Sequence, residues 1–378
     1  MALNPSSGWS YYKQIDLTDS SSVSEDYQMR LTVYAGAGSD DTATGKIYCN
    51  SYCNDFPNDI RFGTTNDPST ATQLKYWVMD SDASEAVIFV KMVAANTIYM
   101  FVGHSTATSD SSGTDTWEDF EDWSSDNTGD YTEYKRSGYY DYFYTRAYSW
   151  GNNKRYGTYF YFDTWSTSNF GAGAALACQE SASPSTWPTD GDMNNFYLGW
   201  TDTDQGASST LAATHLQARN EGSITNSGWT TWTKGAGTGT WFVGELCQTS
   251  TAVDGLIYSK DCLTTLKSST VVSNLPDDIA YIGYNEGTGD TRSPGHYWAH
   301  DAGNNCLSWG GNRSASYGQV DIHTRYSWVG KYADTPPTYN TFGSWTAISA
   351  GGGGSPELYI DTATYDNESY IINDGWLI

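Results

Sequence analysis

The sequence predicts an all-β protein made of two consecutive antiparallel β-sandwiches with a short strand-like C-terminal tail. Three observations carry the prediction. Short runs of β-branched and aromatic residues recur along the chain, each bounded by Gly, Asn, Asp or Ser clusters. The 378 residues include 38 Gly, 30 Tyr and 16 Trp, which favour pleated sheets and tight turns over helical bundles. Almost no segment keeps a helical period, and only "THLQARN" has the pattern of a helical turn. A chain of this length can bury more than one core.

Taken in order, "SYYKQIDL", "YQMRLTVY", "QLKYWVM", "EAVIFVKM" and "NTIYMFVGH" are the strands of a first unit over residues 1–110. A polar, turn-rich stretch, "HSTATSDSSGTDTWEDFEDWSSDNTGD", leads out of it. "GTYFYFDTW", "NNFYLGW", "GTWFVGELC", "DGLIYS", "IAYIGYN" and "RYSWVGKY" continue the same style in a second unit, residues 111–335. Pro336 and Pro337 stop the last strand and impose an extended course. Residues 336–378 therefore read as a Pro/Gly-rich linker, with "SAGGGGSPE" its most flexible point. They end in an alternating tail too short to fold alone, which is expected to dock on its own chain or on a neighbour.

Six cysteines stand at 49, 53, 178, 247, 262 and 306. The spacing favours local disulfides, Cys49 with Cys53 and Cys247 with Cys262 across a hairpin, over zinc, because no CxxC pair occurs. "TDGDMNN" and "TDTDQG" place Asp190, Asp192, Asn194, Asp202 and Asp204 at alternating positions. Such oxygen-rich turns suit calcium, although the EF-hand spacing is absent. Calcium is the one cofactor candidate, and no nucleotide cofactor is implied.

"TWEDFEDWSS" sets Asp119 and Glu121 at alternate positions between Trp117 and Trp123. On a strand such acids lie about 7 Å apart, within the roughly 5 to 9 Å that glycosidases need. They are weak catalytic candidates, and the competing reading is a structural connection with its acids in water. Aromatic side chains give broad contact at low entropy cost and stack on sugar faces. The candidates for that role are Trp187, Trp200, Trp229, Trp232, Trp298 and Trp309. In "SGWTTWTKG", Trp229 and Trp232 are three apart and fall on opposite faces of a strand, one toward the core and one outward.

The runs "GWSYYKQIDL", "YQMRLTVY", "CNDFPNDIRFGTTND", "LKYWVMD", "AVIFVKM", "NTIYMFVGH" and "WEDFEDW" occur in that order over about a hundred residues. They resemble the domain of unknown function 2341 family, most specifically at Asp59-Ile60-Arg61-Phe62 and Tyr76-Trp77. Phe101-Val102-Gly103 departs from the Tyr-Tyr-Gly usual there. "VDIHTRYSWVGKYADTPPT" is similar to the closing strand of a concanavalin A-like lectin/glucanase jelly roll, which commonly follows that module. The resemblance implies that the second unit is such a jelly roll and that the protein is displayed at a bacterial, archaeal or viral surface.

A net charge of −25 disfavours nucleic acid and anionic membrane as partners. No run approaches the ~20 apolar residues that span a bilayer, so no membrane insertion is expected. The start lacks the basic and apolar regions of a secretory signal. The expectation is a non-enzymatic structural or adhesion protein, extracellular or on a virion surface, most simply as an oligomer. It would bind cell-surface glycan, a protein receptor or neighbouring subunits. The alternatives are a glycoside hydrolase of the concanavalin A-like class and a purely structural assembly subunit.

Overall fold

The computed structural model describes residues 2–18, 25–122, 132–135, 142–147, 153–168, 173–179, 193–220, 223–236, 239–249, 251–272, 281–286, 297–301, 306–310, 319–333 and 335–349. The first strands are β1 (Tyr11–Leu17), β2 (Gln28–Tyr34), β3 (Lys46–Tyr48), β4 (Arg61–Gly63), β5 (Tyr76–Ser81), β6 (Glu85–Lys91) and β7 (Thr97–Val102). A one-turn helix, α1 (Gly113–Thr116), and β8 (Asp119–Asp122) follow. Next come β9 (Thr132–Lys135), β10 (Tyr142–Ala147), β11 (Lys154–Ser166), β12 (Gly173–Gln179), β13 (Met193–Trp200), β14 (Leu211–Thr214), β15 (Leu216–Asn220), β16 (Ser223–Asn226) and β17 (Thr230–Thr233). β18 (Trp241–Gln248), β19 (Val253–Ser259), β20 (Thr265–Val271), β21 (Tyr281–Glu286), β22 (Tyr297–Asp301), β23 (Cys306–Gly310) and β24 (Gln319–Lys331) complete the middle of the chain. The short β25 (Tyr339–Phe342) and β26 (Thr346–Ala347) close it.

These strands form four sheets. β25-β1-β7-β4, with β26 on β1, make the first, and β3-β2-β6-β5 the second. β20-β19-β18-β11-β24-β23-β22, with β8 on β24, make the third. β16-β15-β13-β12-β21-β10-β9, with β14 and β17 attached through β13, make the fourth. Every named strand pair is antiparallel except β2 with β3, so the chain is all-β.

The sheets stack as four layers with three buried seams. Ile15, Phe62, Ile98 and Met100 of the first sheet meet Leu31, Val33, Ile88 and Val90 of the second. Trp77, Val87 and Phe89 on the opposite face of the second sheet meet Tyr159, Val243 and Trp328 of the third. Phe160, Phe242, Leu246 and Val329 of the third then meet Leu176, Phe196, Leu198 and Leu216 of the fourth. β6 explains why the strand "EAVIFVK" is apolar at all five interior positions: Ala86, Ile88 and Val90 face one seam, Val87 and Phe89 the next. Such continuous apolar runs mark strands buried on both faces.

The middle seam joins the two sandwiches and is aromatic. Trp77, Phe89, Trp117 and Trp328 pack with ring centroids 5.0–6.2 Å apart. Gly157 permits this, because a Cβ there would lie 2.2 Å from the Trp328 indole. Arg155 is buried among them, 4.9 Å over Trp117, with Nη2 donating to the Gln28 carbonyl at 2.6 Å and Nη1 3.8 Å from Glu245.

One expectation is corrected at this level. "THLQARN" is not helical: it runs through the end of β14 into β15, where Leu216 and Ala218 alternate into the core around Gln217. Within the 336–378 segment, residues 339–347 add β25 and β26 to the first sheet, pairing Leu17 with Tyr339 and Tyr11 with Ala347.

Candidate functional site

β13 carries Phe196 and Leu198 into the core, so Tyr197 between them points out from the fourth sheet. The backbone of His215, between β14 and β15, holds the same rung by accepting from the Tyr197 N–H at 2.9 Å. The β15–β16 hairpin then delivers Ser227, whose N–H reaches the Leu216 carbonyl and whose Oγ accepts from the Leu216 N–H at 3.0 Å. Gly228, at φ +75°, turns the chain in a conformation that disfavours side chains. Trp229 emerges directly after it.

Four rings result, one on top of three. The Trp229 indole lies nearly parallel to the His215 imidazole, 4.7 Å away at 18°. Tyr197 is 5.4 Å and Trp200 5.5 Å from the same indole. Tyr197, Trp200 and His215 are buried, whereas Trp229 is half-buried. Burial holds the His215 imidazole below its ordinary pKa, against the opposing influence of Gly228 and Asn226. A neutral ring is therefore what supports the indole. The arrangement can present a rigid, flat, apolar face to a ligand without ordering a loose side chain on binding.

The other predicted tryptophans divide. Trp232 is corrected: it is core, edge-on to Phe242 at 4.9 Å, with Nε1 donating to the Leu198 carbonyl. Its position on β17, three residues from Trp229, puts it on the inner face. Trp200 is buried at the base of the aromatic group rather than displayed. Trp298 and Trp309 are register partners between β22 and β23. Trp187 lies outside the described residues.

The paired acids lie on the ladder between β8 and β24. On β8, Phe120 sits opposite Trp328 at the seam between sandwiches, while Glu121 sits opposite Ser327 and Asp119 opposite Val329, which faces the other way. Trp117 precedes the ladder and swings to the seam side, and Glu121 is buried. The expected face shared by Trp117, Asp119 and Glu121 is thus broken by the bend that leaves α1, and Trp123 lies outside the described residues.

The calcium candidates that are described have other partners. Asn194 points into the core, its Nδ2 donating to Gln248 Oε1 at 2.6 Å. Asp202 and Asp204 belong to a 3-10 turn at Thr203–Gln205, where Asp202 Oδ1 accepts from the Asp204 N–H at 2.8 Å. Asp190 and Asp192 lie outside the described residues. Among the described residues no three His, Cys, Asp or Glu side chains gather in a way that could hold a metal ion.

Cys49, Cys53, Cys247 and Cys262 carry free thiols. Cys49 and Cys53 are hydrogen-bonding neighbours in one turn. Cys247 lies opposite Asp254, whereas Cys262 follows Ser259, which lies opposite Phe242. The two thiols are thus at opposite ends of a ladder of roughly 17 Å, too far to bridge.

The profile of the Domain of unknown function (DUF2341) family matches residues 56–136. No curated protein matches the chain. The solved structures similar to it include the VIP36 exoplasmic/lumenal domain in its Ca2+/Man-bound form, at 13% identity, 60% of this chain, 91% of that chain and a TM-score of 0.34. Apo Crh5 transglycosylase aligns at 12% identity over 51% of this chain and 69% of that one, with a TM-score of 0.31. A glycoside hydrolase family protein from Mycobacterium thermorestibile aligns at 10% identity over 50% and 67%, with a TM-score of 0.28.

Proposed function

We propose that this chain is a non-enzymatic carbohydrate-binding protein of a cell or virion surface, in which Trp229 on the outer sheet of a concanavalin A-like second sandwich stacks on a sugar ring. The observation that supports it is the half-buried indole braced from below by His215, Tyr197 and Trp200. A pyranose ring has one face of C–H groups, which suits such an apolar plane, and its hydroxyls then reach the polar rim. The first sandwich, fixed to the second through the aromatic seam, acts as the mount. Display outside the cell and association with further copies belong to the same proposal. No helix among the described residues is long and apolar enough to cross a membrane.

A glycan array probed with the purified chain and with Trp229→Ala tests the reading. Binding to at least one glycan class is expected, weakened by about tenfold or more in the variant, which corresponds to roughly 1.4 kcal/mol. The melting temperature should stay close to that of the unaltered chain. Equal binding by both proteins would sink the proposal. Light scattering on the same sample gives the subunit number.

A further inference from the structure

A groove of about 550 Å³ opens where the start of β18 and the turn after β19 approach the β5–β6 hairpin of the first sandwich. Glu85, Thr233, Thr240, Trp241, Lys260 and Asp261 line it. Its size falls within the roughly 300–1,000 Å³ usual for small-molecule sites, which favour junctions between domains. The Trp241 indole is half-buried and held from two sides: Tyr159 stacks on it at 4.5 Å and 18°, and Tyr161 meets it edge-on at 4.7 Å.

The polar groups around that indole carry both signs. Lys260 gives one N–H to Asp80 Oδ2 at 2.8 Å, and an ammonium has three donors. Asp261 uses Oδ1 to accept from Ser259 Oγ and the Leu263 N–H, leaving Oδ2 for other donors. Thr233 and Thr240 are exposed at the rim. Burial and the Asp261 charge hold the Glu85 carboxyl above its ordinary pKa, so the acids already repel one another there. A free anion would meet these carboxylates and a free cation would meet Lys260, whereas a neutral polyhydroxylated ligand uses donors and acceptors together. A protein partner needs far more surface, of the order of 1,000 Å².

We propose that this junction groove is a second carbohydrate-binding site, in which Trp241 stacks on an uncharged sugar while Lys260 and Asp261 bond its hydroxyls. The inference rests on the carbohydrate-binding reading for the class of ligand but not on Trp229. Both sandwiches contribute to the site, so it requires the two units in their observed arrangement.

Calorimetric titration of the full chain with neutral hexasaccharides of glucose, xylose and mannose, and with a hexuronate oligomer, tests it. The expected result is two sites per chain for at least one neutral probe, one removed by Trp229→Ala and the other by Trp241→Ala. Lys260 is 47% exposed in its side chain, so Lys260→Gln keeps the fold and should weaken the second site by about tenfold, with an unchanged melting temperature. The proposal is overturned if Trp241→Ala and Lys260→Gln titrate like the unaltered chain, if no probe gives Trp241-dependent heat, or if the hexuronate is preferred. If instead Trp229→Ala changes nothing while Trp241→Ala abolishes binding, the junction groove stands and the Trp229 reading falls.

Discussion

Trp229 and Trp232 differ because a strand alternates its side chains and three residues is an odd step. Trp232→Ala should lower stability by about 3–5 kcal/mol, measured by urea unfolding, since it leaves a hole beside Phe242 and strands the Leu198 carbonyl. Trp229→Ala should cost much less while removing the sugar contact at that site. The opposite placement was legible in "SGWTTWTKG", but not which indole was core, because that depends on Leu198 and Phe242 from distant strands. Tyr197 and His215 were missed for the same reason: no local pattern brings them under Trp229. His215 also sets a pH dependence. Its folded-state pKa is depressed, so the unfolded chain takes up the proton first and stability falls as pH drops. This contribution is intact above about pH 6.5, the ordinary histidine value, and declines below it toward the folded pKa. Unfolding midpoints between pH 7 and 5 should lose that component in His215→Phe.

At the scale of elements, β25 and β26 are the addition that propensity alone does not place. "YNTF" and "TA" are too short to announce themselves, and the ladder that receives them lies about three hundred residues earlier in the chain. Trp345 between them donates Nε1 to the Tyr48 carbonyl at 2.8 Å, meets Tyr52 edge-on at 6.0 Å and lies 5.0 Å under the buried Lys13 ammonium. Trp345→Ala should therefore destabilise the first sandwich by about 1–3 kcal/mol, visible as a lower melting temperature with sugar binding at Trp229 retained. β8 gives the opposite lesson. Its alternation was legible, but the faces were not, because residues 117–118 leave α1 outside the ladder and send Trp117 to the seam. β6 was the easiest to read, since five consecutive buried apolar residues admit burial on both faces.

For the whole molecule, the seam between sandwiches makes one stacked body from two units that composition and spacing present as separate beads. Arg155 is its most sensitive point, buried beside Glu245 and surrounded by Tyr27, Phe89 and Trp117. Arg155→Ala leaves the Glu245 carboxylate buried without its cation, and removal of one partner of a buried pair costs about 3–5 kcal/mol. Replacing both, Arg155→Met with Glu245→Leu, should recover most of that loss in urea unfolding, and failure to recover would show that the charge itself is needed for docking. The return of β25 and β26 onto β1 also has a mechanical side. Tyr11 lies opposite Ala347 and Leu17 opposite Tyr339, so Tyr11 and Ala347 stand at the same end of one ladder, with the second sandwich a loop between its strands. Tension applied between those two residues would unzip that ladder one rung at a time, and the sandwich carrying Trp229 would bear none of the load until the zipper had opened.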